Sequence, residues 1–255
     1  MPLEIITLPC LSDNYAYLLH DAKSGRTALV DAPESDAVKT ALSARGWGLD
    51  AILLTHHHYD HIDGVEELRS TYGAEVYGAK PDAARLPALT HALDYAAQFE
   101  LFGEEVQVLD VSGHTIGHIA FFFPQSNAVF TADSLMALGC GRLFEGPPEM
   151  MWQSLNRLMA LPPQTMVYSG HEYTQSNARF AITIEPDNAK LQLRVDEINA
   201  KRAKGEATVP SRLQLELDTN PFLRAHLDEV KSAIEMEGAE NAEVFAEIRQ
   251  RKDNF

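Results

Sequence analysis

The stretch Thr55-His56-His57-His58-Tyr59-Asp60-His61 sets four imidazoles and a carboxylate within seven residues. Imidazole nitrogen and carboxylate oxygen are the ligands a borderline cation such as Zn²⁺ accepts. The apolar run Ala51-Ile52-Leu53-Leu54 precedes them and has the length of a buried strand. Asp63 and Glu66 follow, spaced as a capping box at the start of a helix. The histidines therefore belong to a strand-to-helix turn. Alternate residues of such a turn point the same way, which converges His56 and His58 on one point and turns His57 aside. Asp60 and His61 lie further along and face a second point. Solvation alone does not explain an apolar strand feeding directly into such a cluster.

Three more ligand-type residues share that placement. His114 follows an expected strand at 106–111, Asp133 one at 128–131, and His171 one at 166–168. In layered α/β folds the C-terminal ends of strands gather on one rim, where sites are built. Seven such side chains exceed one tetrahedral ion and suit two, with one carboxylate shared between them. His118 fits three roles alike: ligand, partner behind a ligand, or packed ring. His20, His91 and His226 carry no spacing signal.

The elements that must position these residues read as α/β. Short strands are expected at 3–8, 15–19, 27–30, 75–77 and 119–123, with helices at 36–44 and 65–72. Residues 80–100 give mixed turn signals and no clear element. Beyond residue 173 the pattern turns helical and charged. Pro186 is placed to start a helix in which Leu191, Val195 and Ile198 share a face, 208–224 reads as a loop, and two further apolar faces surround Val230 and Val244-Phe245. Two domains follow, 1–173 and 174–255.

With a net charge of −16 over 255 residues, the chain lacks the basic face of a nucleic-acid binder. No stretch approaches the ~18 apolar residues of a membrane span, and the N-terminus lacks the pattern of a signal peptide. Cys10 and Cys140 are isolated thiols, which fits a reducing compartment. The expectation is a cytoplasmic monomer acting on a small molecule, with no nucleic acid and no membrane.

The metal-type turn, with His114, Asp133 and His171, resembles the metallo-β-lactamase superfamily, whose fold is a four-layer αβ/βα sandwich. Five further segments narrow the resemblance. They are Leu11-Ser12-Asp13-Asn14-Tyr15, Gly139-Cys140-Gly141-Arg142-Leu143-Phe144-Glu145-Gly146, Gly170-His171-Glu172-Tyr173-Thr174, Asn220-Pro221-Phe222-Leu223-Arg224 and Arg249-Gln250-Arg251-Lys252-Asp253. Together they are similar to the glyoxalase II (hydroxyacylglutathione hydrolase) family, which adds a smaller C-terminal α-helical domain.

That resemblance implies a binuclear metal-dependent thioesterase, with Zn the first candidate and Fe or Mn also fitting. His56, His58 and His114 would hold one ion, Asp60, His61 and His171 the other, and Asp133 would bridge them. The glutathione contacts would be Arg142, Tyr173, Arg249 and Lys252. Phe144 and Pro147-Pro148 depart from the family pattern, and Phe144 has no hydroxyl to offer a substrate. The implied reaction is hydrolysis of S-(R)-lactoylglutathione to D-lactate and glutathione, the second step of methylglyoxal detoxification. Asp60 and Asp133 would be its catalytic carboxylates. Rival readings are a mononuclear-iron persulfide dioxygenase, a secreted β-lactamase, a tRNA-processing nuclease and a non-catalytic metal-binding module.

Overall fold

The structure is a computed structural model and describes residues 2–255. The first part of the chain runs β1 (Glu4–Cys10), β2 (Asn14–Asp21), β3 (Arg26–Val30), α1 (Ser35–Arg45), β4 (Ala51–Leu53), α2 (Tyr59–Ile62), α3 (Val65–Tyr72) and β5 (Glu75–Ala79). A 3-10 turn at Lys80–Asp82 follows, then β6 (His91–Leu93), β7 (Gln98–Leu101), β8 (Glu104–Asp110), β9 (Ile119–Phe123) and β10 (Ala128–Ala132). The remainder is β11 (Leu135–Met136), β12 (Gly139–Cys140), α4 (Pro148–Met159), β13 (Met166–Ser169), α5 (Thr174–Ile184), α6 (Ala189–Ala203), β14 (Ser211–Arg212), α7 (Leu213–Thr219), α8 (Asp228–Ala233) and α9 (Asn241–Asp253).

The strands form two six-stranded sheets, ordered β1-β2-β3-β4-β5-β6 and β14-β13-β10-β9-β8-β7, and a small β11-β12 hairpin. In the first sheet β1 to β3 are antiparallel and β3 to β6 parallel. Parallel neighbours need crossovers, and α1, then α2 with α3, supply them. The chain divides into two compact units, one of Met1–Asp110 with Ile116–Phe130 and one of Val111–Thr115 with Thr131–Phe255.

In the first unit, Leu18, Leu29, Ile52 and Val76 of the sheet pack with Val38 and Leu42 of α1 and Val65 and Leu68 of α3. The opposite face of the sheet is also covered. Tyr17 of β2 meets Phe130 at 5.4 Å between ring centroids, and Tyr77 of β5 stacks on Phe99 at 5.2 Å. Burial on both faces is why β2 is inaccessible along its whole length and reads as an apolar run rather than an alternation.

In the second unit α5 and α6 pack through Ala178, Ala181, Leu191 and Ile198 around Leu138. Beside them Glu216, fully buried on α7, accepts hydrogen bonds from the Leu138 amide at 2.9 Å, from Ser211 Oγ and from the Arg194 guanidinium. Asn220 Nδ2 donates to Glu216, to Met136 O and to Gly139 O. This polar knot fixes the β11-β12 hairpin against the helices.

Several expectations from sequence change here. Asp63 does not cap α3: Gly64 holds the N-cap position, and no side-chain cap bond forms. The chain closes the short helix α2 first, so Asp63 is spent at that helix's end. The α6 helix begins at Ala189 rather than Pro186, because Asn188 Oδ1 takes the amides of Lys190 and Leu191. Residues 208–224, expected as a loop, contain β14 and α7. The stretch 80–100 holds the 3-10 turn, β6 and the start of β7. Pro147-Pro148 opens a helix, α4, with Pro148 in its first turn. Met151, Trp152, Leu155 and Leu158 are its buried face.

The Arg194–Glu216 pair is inaccessible on both sides. Removing one member of such a pair leaves an uncompensated buried charge. Arg194→Met is expected to cost about 3–5 kcal/mol in urea unfolding, and Arg194→Met with Glu216→Gln less than that single change, because the amide removes the uncompensated charge while its oxygen still accepts the Leu138 amide.

Candidate metal centre

β3 and β4 are parallel neighbours in the register Val30 to Leu53, so the residues just beyond them emerge side by side. Asp31 follows β3 with a left-handed backbone, φ 55°. Its Oδ1 accepts the Thr55 amide at 2.9 Å and its Oδ2 accepts Thr55 Oγ1 at 2.8 Å. The same Oδ2 lies 2.8 Å from His61 Nδ1. Thr55 Oγ1 in turn lies 3.0 Å from His56 Nδ1. A carboxylate on Nδ1 places that ring's proton there and leaves Nε2 as the ligand atom. Asp31, His56 and His61 form one group with ligand atoms within 4.8 Å of each other. Asp31 nonetheless faces the Nδ1 side of His61 with both oxygens engaged, so it aligns that ring rather than offering an oxygen to an ion.

The rings of the turn are packed together. His56 lies 4.7 Å from His58 and 4.3 Å from His61, and it stacks on His118 at 4.5 Å with planes 10° apart. His56, His61 and His118 are fully buried. His118 Nδ1 lies 3.2 Å from Ile119 O, which makes it a packed ring behind His56. Asp60 is half-buried, and Asn14 Nδ2 donates both to its Oδ2 and to its carbonyl, each at 3.0 Å. His61 Nε2 lies 3.8 Å from Asp60 Oδ2.

The second unit carries a cluster of its own. Asp133 Oδ2 lies 3.5 Å from His114 Nε2 and 3.3 Å from His171 Nε2. His114 Nδ1 is 2.8 Å from the carbonyl of Arg142, which again leaves Nε2 for a cation. A Cβ on Gly141 would meet the Asp133 carbonyl oxygen at 1.9 Å, so glycine is required where the Gly139-Cys140-Gly141 segment crosses Asp133. Ala132, just before Asp133, has φ 39°. Left-handed backbone at Asp31 and Ala132 is local strain of the kind that collects at functional sites.

Imidazole Nε2 atoms with their Nδ1 sides occupied, together with carboxylates, match the needs of a divalent ion. Sequence reasoning missed Asp31, Thr55 and Asn14. Asp31 carries the signal that singled out Asp133, a carboxylate at the C-terminal end of an apolar strand.

The four expected substrate contacts all lie in the second unit. Arg142 is exposed, with Nε 3.9 Å from Asp253. Tyr173 is exposed and stacks on His171 at 4.6 Å and 7°. Phe144 is exposed with its ring 5.2 Å from His114. On α9 Arg249 is buried, donating to Cys140 O at 3.0 Å and to Asp253 at 2.8 Å. Lys252 donates to Ser176 O at 3.2 Å, with the Phe180 and Phe255 rings 5.4 and 5.3 Å from its Nζ. Burial, then the nearby Arg249, Arg179 and Arg142, bring its pKa down to about 8. Arg251 turns away to Glu247 and Ile234 O. The two thiols are buried, and burial pushes Cys10 up to about 12 and Cys140 to about 11.

Residues 12–171 match the metallo-beta-lactamase superfamily, and residues 172–255 match the family described as hydroxyacylglutathione hydrolase C-terminus. A hydroxyacylglutathione hydrolase of Ruegeria pomeroyi is 62% identical over the full length of both chains. One of Cereibacter sphaeroides is 60% identical, again over both full lengths. The solved structure of TTHA1623 in a di-iron-bound form is 30% identical, with a TM-score of 0.57, over 66% of this chain and 91% of that one. The fold is thus the α/β metallo-β-lactamase fold with a helical C-terminal part, and it presents His/Asp clusters suited to divalent metals.

Asp31→Asn keeps size and backbone preference but turns an acceptor toward His61 into a donor. Its expected effect is a roughly 10- to 100-fold loss of zinc affinity, read by titration against a chelator, with the far-UV circular dichroism of the metal-free protein unchanged.

Proposed function

Since the chain belongs to the hydroxyacylglutathione hydrolase family within the metallo-β-lactamase superfamily, we propose that its ligand-type residues divide between two divalent ions. His56, His58 and His114 hold one, and Asp60, His61 and His171 hold the other. Asp133 is shared between them. The observation that carries this reading is the Asp133 carboxylate set against the Nε2 atoms of both His114 and His171. Zinc is the proposed metal.

The enzyme hydrolyses S-(R)-lactoylglutathione to D-lactate and glutathione. When bound, the ions supply hydroxide at neutral pH and polarise the thioester carbonyl. Asp60, itself aligned by Asn14, orients the attacking water. The acyl carbon gains the water's oxygen as the C–S bond breaks. The sulfur leaves as thiolate, whose acid has a pKa of roughly 8.5, so no side chain has to protonate it. His118, packed behind His56, fits a site without a general acid.

Arg142, Tyr173, Arg249 and Lys252 are the proposed glutathione contacts. Lys252 and Arg142 bring positive charge to an anionic substrate in an acidic protein. Arg249, buried against the Cys140 carbonyl, ties α9 to the segment beside Asp133. This reading divides the chain into a catalytic domain, 1–173, and a helical substrate-binding domain, 174–255. No helix among the described residues is long and apolar enough to cross a membrane. Two buried free thiols support a cytoplasmic location, and we propose a monomer.

Elemental analysis is expected to give about two metals per chain. Asp133→Ala is expected to lower metal content and to reduce kcat by roughly 100-fold or more; retention of two tightly bound metals and full activity would remove Asp133 from the site. A second expectation follows from Lys252, whose charged form is the one that binds a carboxylate. An anion bound there raises its pKa above the free value of about 8. Affinity is therefore full below about pH 8 and falls above it. KM should rise by as much as about tenfold per pH unit above pH 8, and Lys252→Met should have a raised KM without that rise.

A further inference from the structure

His57 stands between two proposed ligands and is not one itself. Its ring is turned edge-on to His58, 5.1 Å away at 71°, and its Nδ1 lies 3.0 Å from Asp82 Oδ2. Asp82 ends the 3-10 turn after β5 and is 1% exposed. A buried carboxylate needs compensation. Arg85 Nε supplies it at Oδ1, from the same local turn, so charge neutrality alone does not require His57.

The other side of Asp82 presses on backbone. A Cβ placed on Gly117 would lie 2.3 Å from Asp82 Cγ. Any side chain at 117 would displace the carboxylate. Gly117 precedes His118, the ring stacked on His56. One buried carboxylate thus bears on both walls around His56: the turn 56–58 through His57, and the segment carrying His118 through Gly117.

We propose that Asp82 is a positioning residue for the metal-bearing turn. By holding His57 aside it sets the peptide geometry that presents His56 and His58 to the same ion. The inference rests on the reading of His56 and His58 as ligands of one ion. Its action is on ion affinity rather than on the fold, because Asp82 keeps its Arg85 partner whether or not His57 is present.

The test uses the full chain, stripped of metal and titrated with zinc against a chelator and with cobalt(II) by visible absorption. Asp82→Asn and His57→Leu should each weaken one of the two ions by about tenfold and alter the cobalt spectrum, and His57→Leu, which leaves the Asp82–Arg85 pair in place, should keep the Tm of the metal-free protein near wild type. His57→Gln, whose amide can donate to Asp82, should recover most of the affinity. His57→Leu keeps the proposal testable if Asp82→Asn does not fold, because His57 is only part-buried. Wild-type affinity for both ions in His57→Leu, or a lowered Tm with unchanged affinity, would reduce Asp82 to a structural ion pair. His56→Ala separates the layers. If it binds both ions normally, the ligand reading itself fails; if it loses one ion while His57→Leu does not, only the role of Asp82 fails.

Discussion

Parallel pairing of β3 with β4 is the constraint on which the metal-bearing edge depends. With Val30 opposite Leu53, the chain leaves both strands at the same level. Asp31 therefore arrives where Thr55 and His61 can reach it. A carboxylate buried at that depth is tolerable only when several donors meet it, and the turn after β4 provides them. The backbone pays in strain, since Asp31 adopts a left-handed conformation that non-glycine residues avoid. The return is that His61 and, through Thr55, His56 are held with defined tautomers before any ion arrives. Rings held in this way would spare an ion the work of ordering them.

The second unit solves a different problem. The chain carries a net charge of −16, yet its substrate is an anion. A general field would repel it, so attraction has to be local. Burial first, and then the neighbouring Arg249, Arg179 and Arg142, hold the Lys252 pKa down to about 8. Crowding of like charges is unfavourable in the free protein, and a carboxylate binding there, as proposed, would relieve it. Two aromatic rings and the Ser176 carbonyl hold the ammonium meanwhile.

Much of this was legible in the sequence, for identifiable reasons. β9 and α3 fall where the pattern placed them, because an uninterrupted apolar run and a closing glycine are local signals. The family and its reaction were legible from contiguous motifs such as Gly139-Cys140-Gly141. What escaped was set by partners distant in the chain. Asp31 acts on residues 24 and 30 positions away. The segment 208–224 is ordered by the Glu216 and Asn220 knot, whose partners include residues 136–139. Its prolines spoke for a loop, and tertiary hydrogen bonds overrode them. The α4 helix has no place in the sequence reading, where Pro147-Pro148 stands only as a departure from the family pattern, although proline in a first turn is a helix start signal.

Arg142 serves two masters with two different parts of itself. Its main-chain oxygen fixes the ring of His114, while its side chain lies out in solvent near Asp253. Every amino acid has that oxygen, so the side chain at this position can change without disturbing how His114 is aimed. Substitution at 142 can therefore alter the size and charge of this patch of surface while the alignment of His114 stays intact. Position 142 is an open door to side-chain change, whereas Gly141, one residue earlier and pressed against the Asp133 carbonyl, is shut.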